Sequence, residues 1–323
     1  MPANRPSRRC SDERLFRLGT GFFALLVALL VAGIAFELWR NSRLSIAKFG
    51  FDFWRTSTWD PVAGNFGALP FIWGTLYSSF LALLISTPVA LGIAIFLSEL
   101  SPRPLRTPLA FLTELLAAIP SIVYGLWGVF VLVPVVRKLE ILTPAWAREL
   151  PLFSGPPLGV GMLSAALILA VMVIPFTSSV AREVLKAVPQ TQREAAYALG
   201  ATRWEAIRVA MRYGRTGIIG AVILGLGRAI GETMAVTMVI GNSPKVTLSL
   251  FAPQYTMAAV IANEFTEAAD DLYLSALVEI GLVLFAITLV INVLSRLLIW
   301  SVSREMKVPT QKGASAAPAG AAA

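Results

Sequence analysis

A chain of 323 residues that is 56% hydrophobic and 14% charged, with a mean hydropathy of +0.72, is too apolar for a soluble domain of that length. Its net charge of +8 is spread over short segments beside apolar runs, which points to membrane topology and lipid head-group contact and away from nucleic acid. A single cysteine, Cys10, and the absence of histidine exclude an internal disulfide and the common zinc and haem ligand sets, so neither a metal nor a cofactor is expected.

Six apolar runs are each long enough to cross a bilayer, which takes roughly 20 residues. They lie at Leu18–Leu38, Leu69–Leu97, Pro108–Val136, Leu158–Val180, Thr216–Ile240 and Ser275–Trp300, so the predicted class is an all-α polytopic membrane protein. A basic tail, residues 1–17, precedes the first run. Ala32-Gly33-Ile34-Ala35 resembles a leader cleavage site, but the run is long for a leader and its loss leaves five spans; a retained helix over 18–38 is expected. Residues 39–68 form an outer loop whose Phe51, Phe53, Trp54 and Trp59 are expected to rest at the head groups, with partner docking as the alternative. Pro120 should bend the third run and turn freed backbone groups toward a cavity. Glu114 and Glu279 are expected near span ends, solvated or partnered, with a proton relay as the competing reading.

Basic residues set the direction. Arg5, Arg8, Arg9, Arg14 and Arg17, then Arg103 and Arg106, then seven from Arg182 to Arg215, then Arg296, Arg304, Lys307 and Lys312 place 18 positive charges on one side. The other side holds 8, namely Arg40, Arg43, Lys48, Arg55, Arg137, Lys138, Arg148 and Lys245. Both termini are therefore expected in the cytoplasm, as are the loop 181–215 and a tail over 301–323 that ends in a disordered stretch, Gly313–Ala323.

Within that loop, Thr191-Gln192-Arg193-Glu194 and Thr202-Arg203-Trp204-Glu205 each fit a capping box, and Gly200 between them suits the left-handed turn that ends a helix. The expectation is helix, turn, helix, with Trp204, Ile207, Val209, Ala210 and Met211 set among charges on the second helix. In the fifth run Arg228 lies where an unpaired charge is costly, and Glu232 four residues on would share its helical face and pair with it. Gly227 and Gly231 bracket the two as G-x-x-x-G, with Gly220 and Gly225 above, which predicts a close helix neighbour. Two readings stand for Arg228 and Glu232: a structural ion pair, or a pore-lining site whose guanidinium fork binds a passing oxyanion. Gly225-Leu226-Gly227-Arg228-Ala229-Ile230-Gly231 has no strand before it and is no nucleotide fingerprint; no G-x-x-x-x-G-K-[ST] occurs, so any ATPase is another chain.

Glu194-Ala195-Ala196 with Gly200 four residues later resembles the EAA loop of type I ABC importer permeases, whose short helices sit in grooves of ATP-binding subunits. Ala210-Met211-Arg212-Tyr213 stands where that pattern often continues as Ile-x-Leu-Pro, so the entry into the fifth span departs from it. Phe66 to Phe71, Ala118 to Gly128 and Gly225 to Asn242 narrow the similarity to the PstC family, permease subunits of bacterial phosphate importers. The resemblance implies a five-helix core in spans two to six within 69–300, plus the N-terminal helix. It also implies a PstA-like permease partner, two PstB-like ATPases, a PstS-like phosphate-binding protein and residence in the bacterial inner membrane. This chain itself would be no enzyme. Glu194, Ala195, Ala196 and Gly200 would couple to the ATPase, while Arg228 and Glu232 would line the pathway. A PstA-type sister subunit, a sulfate or molybdate permease, or a proton-driven transporter relaying through Glu114, Glu232 and Glu279 are the alternatives.

Overall fold

The computed structural model describes residues 7–304, with side chains from 16 to 302. Residues 1–6 of the expected basic tail and the tail Gly313–Ala323 lie outside the described residues. The described residues are helical with no strands, only two isolated bridges.

Among the described residues five helices are long and apolar enough to cross a membrane, and six if Arg203–Tyr213 and Arg215–Ile230, which meet at a 69° bend, count as one span. α1 (Ser7–Asn41) is followed by the short α2 (Arg43–Phe49) and a 3₁₀ turn at Gly50–Trp54. α3 (Leu69–Ile95) runs on through a π-helical turn at Phe96–Leu100. α4 (Arg103–Ala118) leads to α5 (Ser121–Trp127), a second π-helical turn at Gly128–Leu132, α6 (Val133–Leu142) and the short α7 (Ala145–Arg148). α8 (Met162–Lys186) returns to the end where α3 finished, and α9 (Gln190–Ala198) and α10 (Arg203–Tyr213) form a hairpin there. α11 (Arg215–Ile230), α12 (Met234–Val239), α13 (Met257–Glu264) and α14 (Asp271–Arg304) complete the described residues.

α8 is the axis of the bundle. Its face of Ala165, Ala166, Ile168, Leu169, Ala170 and Val173 is buried, and α3, which packs on it, buries the small residues Ser79, Ala82, Ser86, Ala90 and Ala94. Lipid offers no hydrophobic gain to one span over another, so spans associate where small side chains let backbones approach. α1 shows the converse: it lies against α14, and its apolar residues from Phe16 to Trp39 face outward.

Two spans are interrupted. Pro120 does more than bend the third one: Ile119 and Pro120 are both extended (ψ 131° and 140°), and the helix stops and restarts. A proline cannot donate to the ladder and drives the residue before it out of the helical region. Ser121–Leu142 alone is long enough to cross, so the third span starts later than Pro108. The fifth run, expected as one helix from Thr216 to Ile240, ends at Ile230 and restarts at Met234.

The outer loop also differs from expectation. Phe53 is fully buried and Trp59 partly so, in a cluster with Phe66, Phe71, Tyr255, Leu277 and Ile280, and only Phe51 is strongly exposed. Trp59 Nε1 and Tyr273 Oη both donate to Glu264 Oε2, at 2.8 and 2.6 Å. These aromatics close the end of the bundle because each ring has a packed neighbour and the indole N–H has an acceptor. Residues 240–256 fold back onto the same end, where Trp73 Nε1 and Tyr77 Oη donate to the carbonyls of Thr247 and Leu248. Burial raises the pKa of the Tyr255 hydroxyl in that segment well above its ordinary value.

Candidate coupling and translocation sites

The α9–α10 hairpin carries Glu194, Ala195, Ala196 and Gly200. Its first expected capping box is not made. Pro189 takes the N-cap position, so Thr191 falls inside the first turn, too far along to accept the free amides. The second box is made: Thr202 Oγ1 accepts from the Glu205 amide at 3.4 Å, and Glu205 Oε2 accepts from the Thr202 amide at 2.7 Å. Those amide and hydroxyl donors hold the Glu205 carboxyl below the usual carboxylate range. Gly200 has φ +83°, the left-handed geometry a glycine adopts without strain. Glu194 and Ala195 are exposed, Ala196 is half-buried, and Leu199 at the tip is 91% exposed.

What fixes the hairpin to the bundle is a residue the sequence reading passed over. Glu99, in the π-helical turn that ends α3, receives Arg193 on both oxygens: Nη2 to Oε1 at 2.6 Å and Nε to Oε2 at 3.2 Å. Arg193 also donates to the carbonyls of Leu185 and Val188, at 2.9 and 2.8 Å. Arg203 donates to the Glu99 carbonyl at 2.8 Å. A lone carboxylate closing an otherwise uncharged span, on the side that holds the loop arginines, was the available signal. Beside it, Arg182 is buried and bridges Glu114 and Glu183 at 2.8 and 2.9 Å, so Glu114 is a partnered residue. Glu279 is not solvated at all: it is 2% exposed, and its Oε2 has no hydrogen-bond partner. Among the described residues no hydrogen bond joins Glu114, Glu232 and Glu279 into a chain.

From α10 the chain turns 69° into α11. Gly214 makes that turn, one residue after Tyr213, where the related pattern places a proline.

Arg228 sits near the end of α11, but Glu232 does not pair with it. Glu232 lies in the break, where its Oε1 accepts from the Ala235 amide at 3.3 Å and so serves the first turn of α12. Gly231 caps α11, and the Glu232 side chain competes for an amide just beyond it, so one expected span became two pieces. Arg228 makes no hydrogen bond and no ion pair among the described residues; its Nε is buried without a partner, and its Cζ lies 5.7 Å from the centroid of the Phe176 ring on α8. The expected glycine contact is also displaced. A side chain at Gly225 would meet Thr177 and Val173 of α8, whereas Gly220 and Gly227 have nothing within 4 Å. Opposite the break, α5 packs on α12, with Gly125 against Met238 and Ala235. The site thus combines an unpaired guanidinium, an interrupted helix and a neighbouring span interrupted at Pro120.

Comparison with known proteins places this arrangement. The family of binding-protein-dependent transport system inner membrane components matches residues 86–307. A phosphate transport system permease protein PstC of Mesorhizobium japonicum is 46% identical, over 97% of this chain and 98% of its own. The PstC of Haemophilus influenzae is 49% identical over 89% of this chain and 93% of its own. A probable PstC of Methanocaldococcus jannaschii is 38% identical over 91% of this chain and 95% of its own. Among solved structures, a chain of the inward-facing MetNI methionine ABC transporter superposes with a TM-score of 0.54 at 16% identity, covering 72% of this chain and 94% of that one; this likeness establishes the type I importer permease fold.

Proposed function

The chain belongs to the PstC family of binding-protein-dependent inner-membrane permeases, and we propose that it forms, with a homologous PstA-like subunit, the path by which inorganic phosphate crosses the membrane. Two PstB-like ATPases supply the energy from the hairpin side, and a PstS-like protein delivers phosphate to the opposite end. ATP closure of the motor moves the α9–α10 hairpin through Glu194, Ala195, Ala196 and the Gly200 turn, and the bundle alternates between its two openings. Arg228 lies on the path and Glu232 shapes the break beside it.

The observation that carries this reading is the unpaired Arg228. A guanidinium within a span costs about 2.5 to 3.5 kcal/mol on insertion scales, and no carboxylate among the described residues pairs with it. A charge left unspent among protein groups is free to offer bidentate hydrogen bonds to a tetrahedral oxyanion. In proteoliposomes holding the whole complex, Arg228→Gln should assemble normally yet lose about tenfold or more in phosphate uptake, while Arg228→Lys keeps the charge without the fork and falls between the two. Uptake at the wild-type rate by assembled Arg228→Gln would remove Arg228 from the path.

The orientation follows from the charge asymmetry, with the hairpin in the cytoplasm and both termini on that side. Val62 and Leu199, exposed at opposite ends of α3, report it once Cys10 is replaced by serine. An impermeant thiol reagent added outside intact cells should label Val62→Cys and leave Leu199→Cys unmodified; the reverse pattern inverts the protein and defeats the cytoplasmic hairpin.

A further inference from the structure

We propose that Glu99 is the joint through which movement of the hairpin enters the membrane bundle. This rests on the hairpin's being where an ATPase acts.

Three arginines from three elements converge on the last turn of α3. Arg193 of α9 grips the Glu99 carboxylate with two donors, Arg203 of α10 takes the Glu99 carbonyl, and Arg106 of α4 takes the Ser98 carbonyl at 2.8 Å. The convergence has a physical cause. The last carbonyls of a helix lack partners and carry its negative pole, and the π-helical turn at Phe96–Leu100 presents them, with the Glu99 carboxylate, to surrounding cations. Glu99 and Arg193 side chains are 14% and 18% exposed, so water screens the pair weakly and the planar fork fixes its geometry.

The other contacts of the hairpin transmit less. Glu194, Ala195 and Leu199 touch solvent, and the Thr202–Glu205 box is internal to the hairpin. Arg193 also holds the Leu185 and Val188 carbonyls, so α9 is fastened to both α3 and the end of α8. Just inside the membrane, Ala94 of α3, Ala181 and Leu185 of α8 and Ala221 of α11 pack in one cluster with Met211 of α10 against it. A displacement of α9 and α10 that pulls on Glu99 therefore moves α3 as a rigid rod, and through this cluster reaches α11, the helix that carries Arg228. Glu99 acts through Arg193 and Arg203, and its role is positioning.

A merely structural pair and a joint differ in what they do to the ratio of phosphate moved to ATP hydrolysed. In proteoliposomes holding the permease pair, the ATPases and the phosphate-binding protein, Glu99→Gln should retain the ATPases at the wild-type ratio and continue to hydrolyse ATP. Phosphate moved per ATP should fall about tenfold, within the usual range of coupling between sites. A second variant guards against loss of assembly: Glu99→Cys with Arg193→Cys in a Cys10→Ser background, rejoined by a short bifunctional thiol reagent. Cross-linking should restore most of the lost ratio, and a monofunctional reagent of the same kind should restore none. An unchanged ratio in assembled Glu99→Gln overturns the joint, as does equal rescue by the monofunctional reagent. If the unmodified complex recruits no ATPase to the hairpin, the coupling reading itself fails, an outcome distinct from either.

Discussion

Arg193 and Arg228 carry the same side chain and lie at either end of one connected stretch, yet the fold treats them in opposite ways. Arg193 spends its donors on Glu99, Leu185 and Val188, while Arg228 spends none and rests beside Phe176. A low-dielectric setting makes every unmet charge expensive, so the protein's groups are arranged to satisfy such charges unless another task forbids it. The satisfied arginine fastens one element to another. The unsatisfied one is the position at which we propose that a ligand supplies what the protein withholds.

The sharpest way to break this contrast is to remove each charge and follow stability apart from transport. Arg193→Gln strands the Glu99 carboxylate in a mostly buried place and should cost about 2 kcal/mol, less than the loss of a partner from a fully buried pair. Arg228→Gln leaves no partner stranded and removes a desolvated charge, so the change in stability should stay within about 0.5 kcal/mol and can be favourable. Thermal unfolding of the two variants in one detergent reads the difference as a lowered midpoint for the first and an unmoved or raised one for the second. Equal losses would mean that Arg228 is a structural group after all.

The same two sites differ in how much of them the sequence disclosed. The hairpin was readable because its determinants are local: Thr202 and Glu205 three residues apart form the box, and Gly200 adopts the left-handed turn its position calls for. Its anchor was not, since Glu99 and Arg193 are 94 positions apart and no spacing rule connects them. The arginine in the fifth span was equally plain, but its expected partner was assigned on the assumption of one unbroken helix. A break of three residues moved Glu232 off that face, and the i, i+4 pairing went with it. Span number was legible from hydropathy because the cost of burying polar backbone in lipid leaves few solutions. The outer aromatics misled because an apolar ring suits the head-group region and a packed core alike, and Phe53 and Trp59 found the core.

The smallest expected effect concerns the hairpin's own stiffness. Thr202→Ala removes the hydroxyl that accepts the Glu205 amide and should destabilise the start of α10 by about 1 kcal/mol, a typical N-cap loss. The carboxylate half of the box gives a pH dependence with a definite sign. Because the Thr202 donors lower the pKa of Glu205 in the folded hairpin, its contribution is fully present above the ordinary glutamate value of about 4.3 and is lost as pH falls through the lowered folded value. Amide protection in the first turn of α10 should therefore be flat from neutral pH down to about 4.3 and decline below it. Glu205→Gln keeps an acceptor for the Thr202 amide but cannot titrate, so its protection should lack that decline. Acid loss of the same size in Glu205→Gln would assign the decline to some other group, and the capping box would then be a contact that forms without stiffening the element to which we assign coupling.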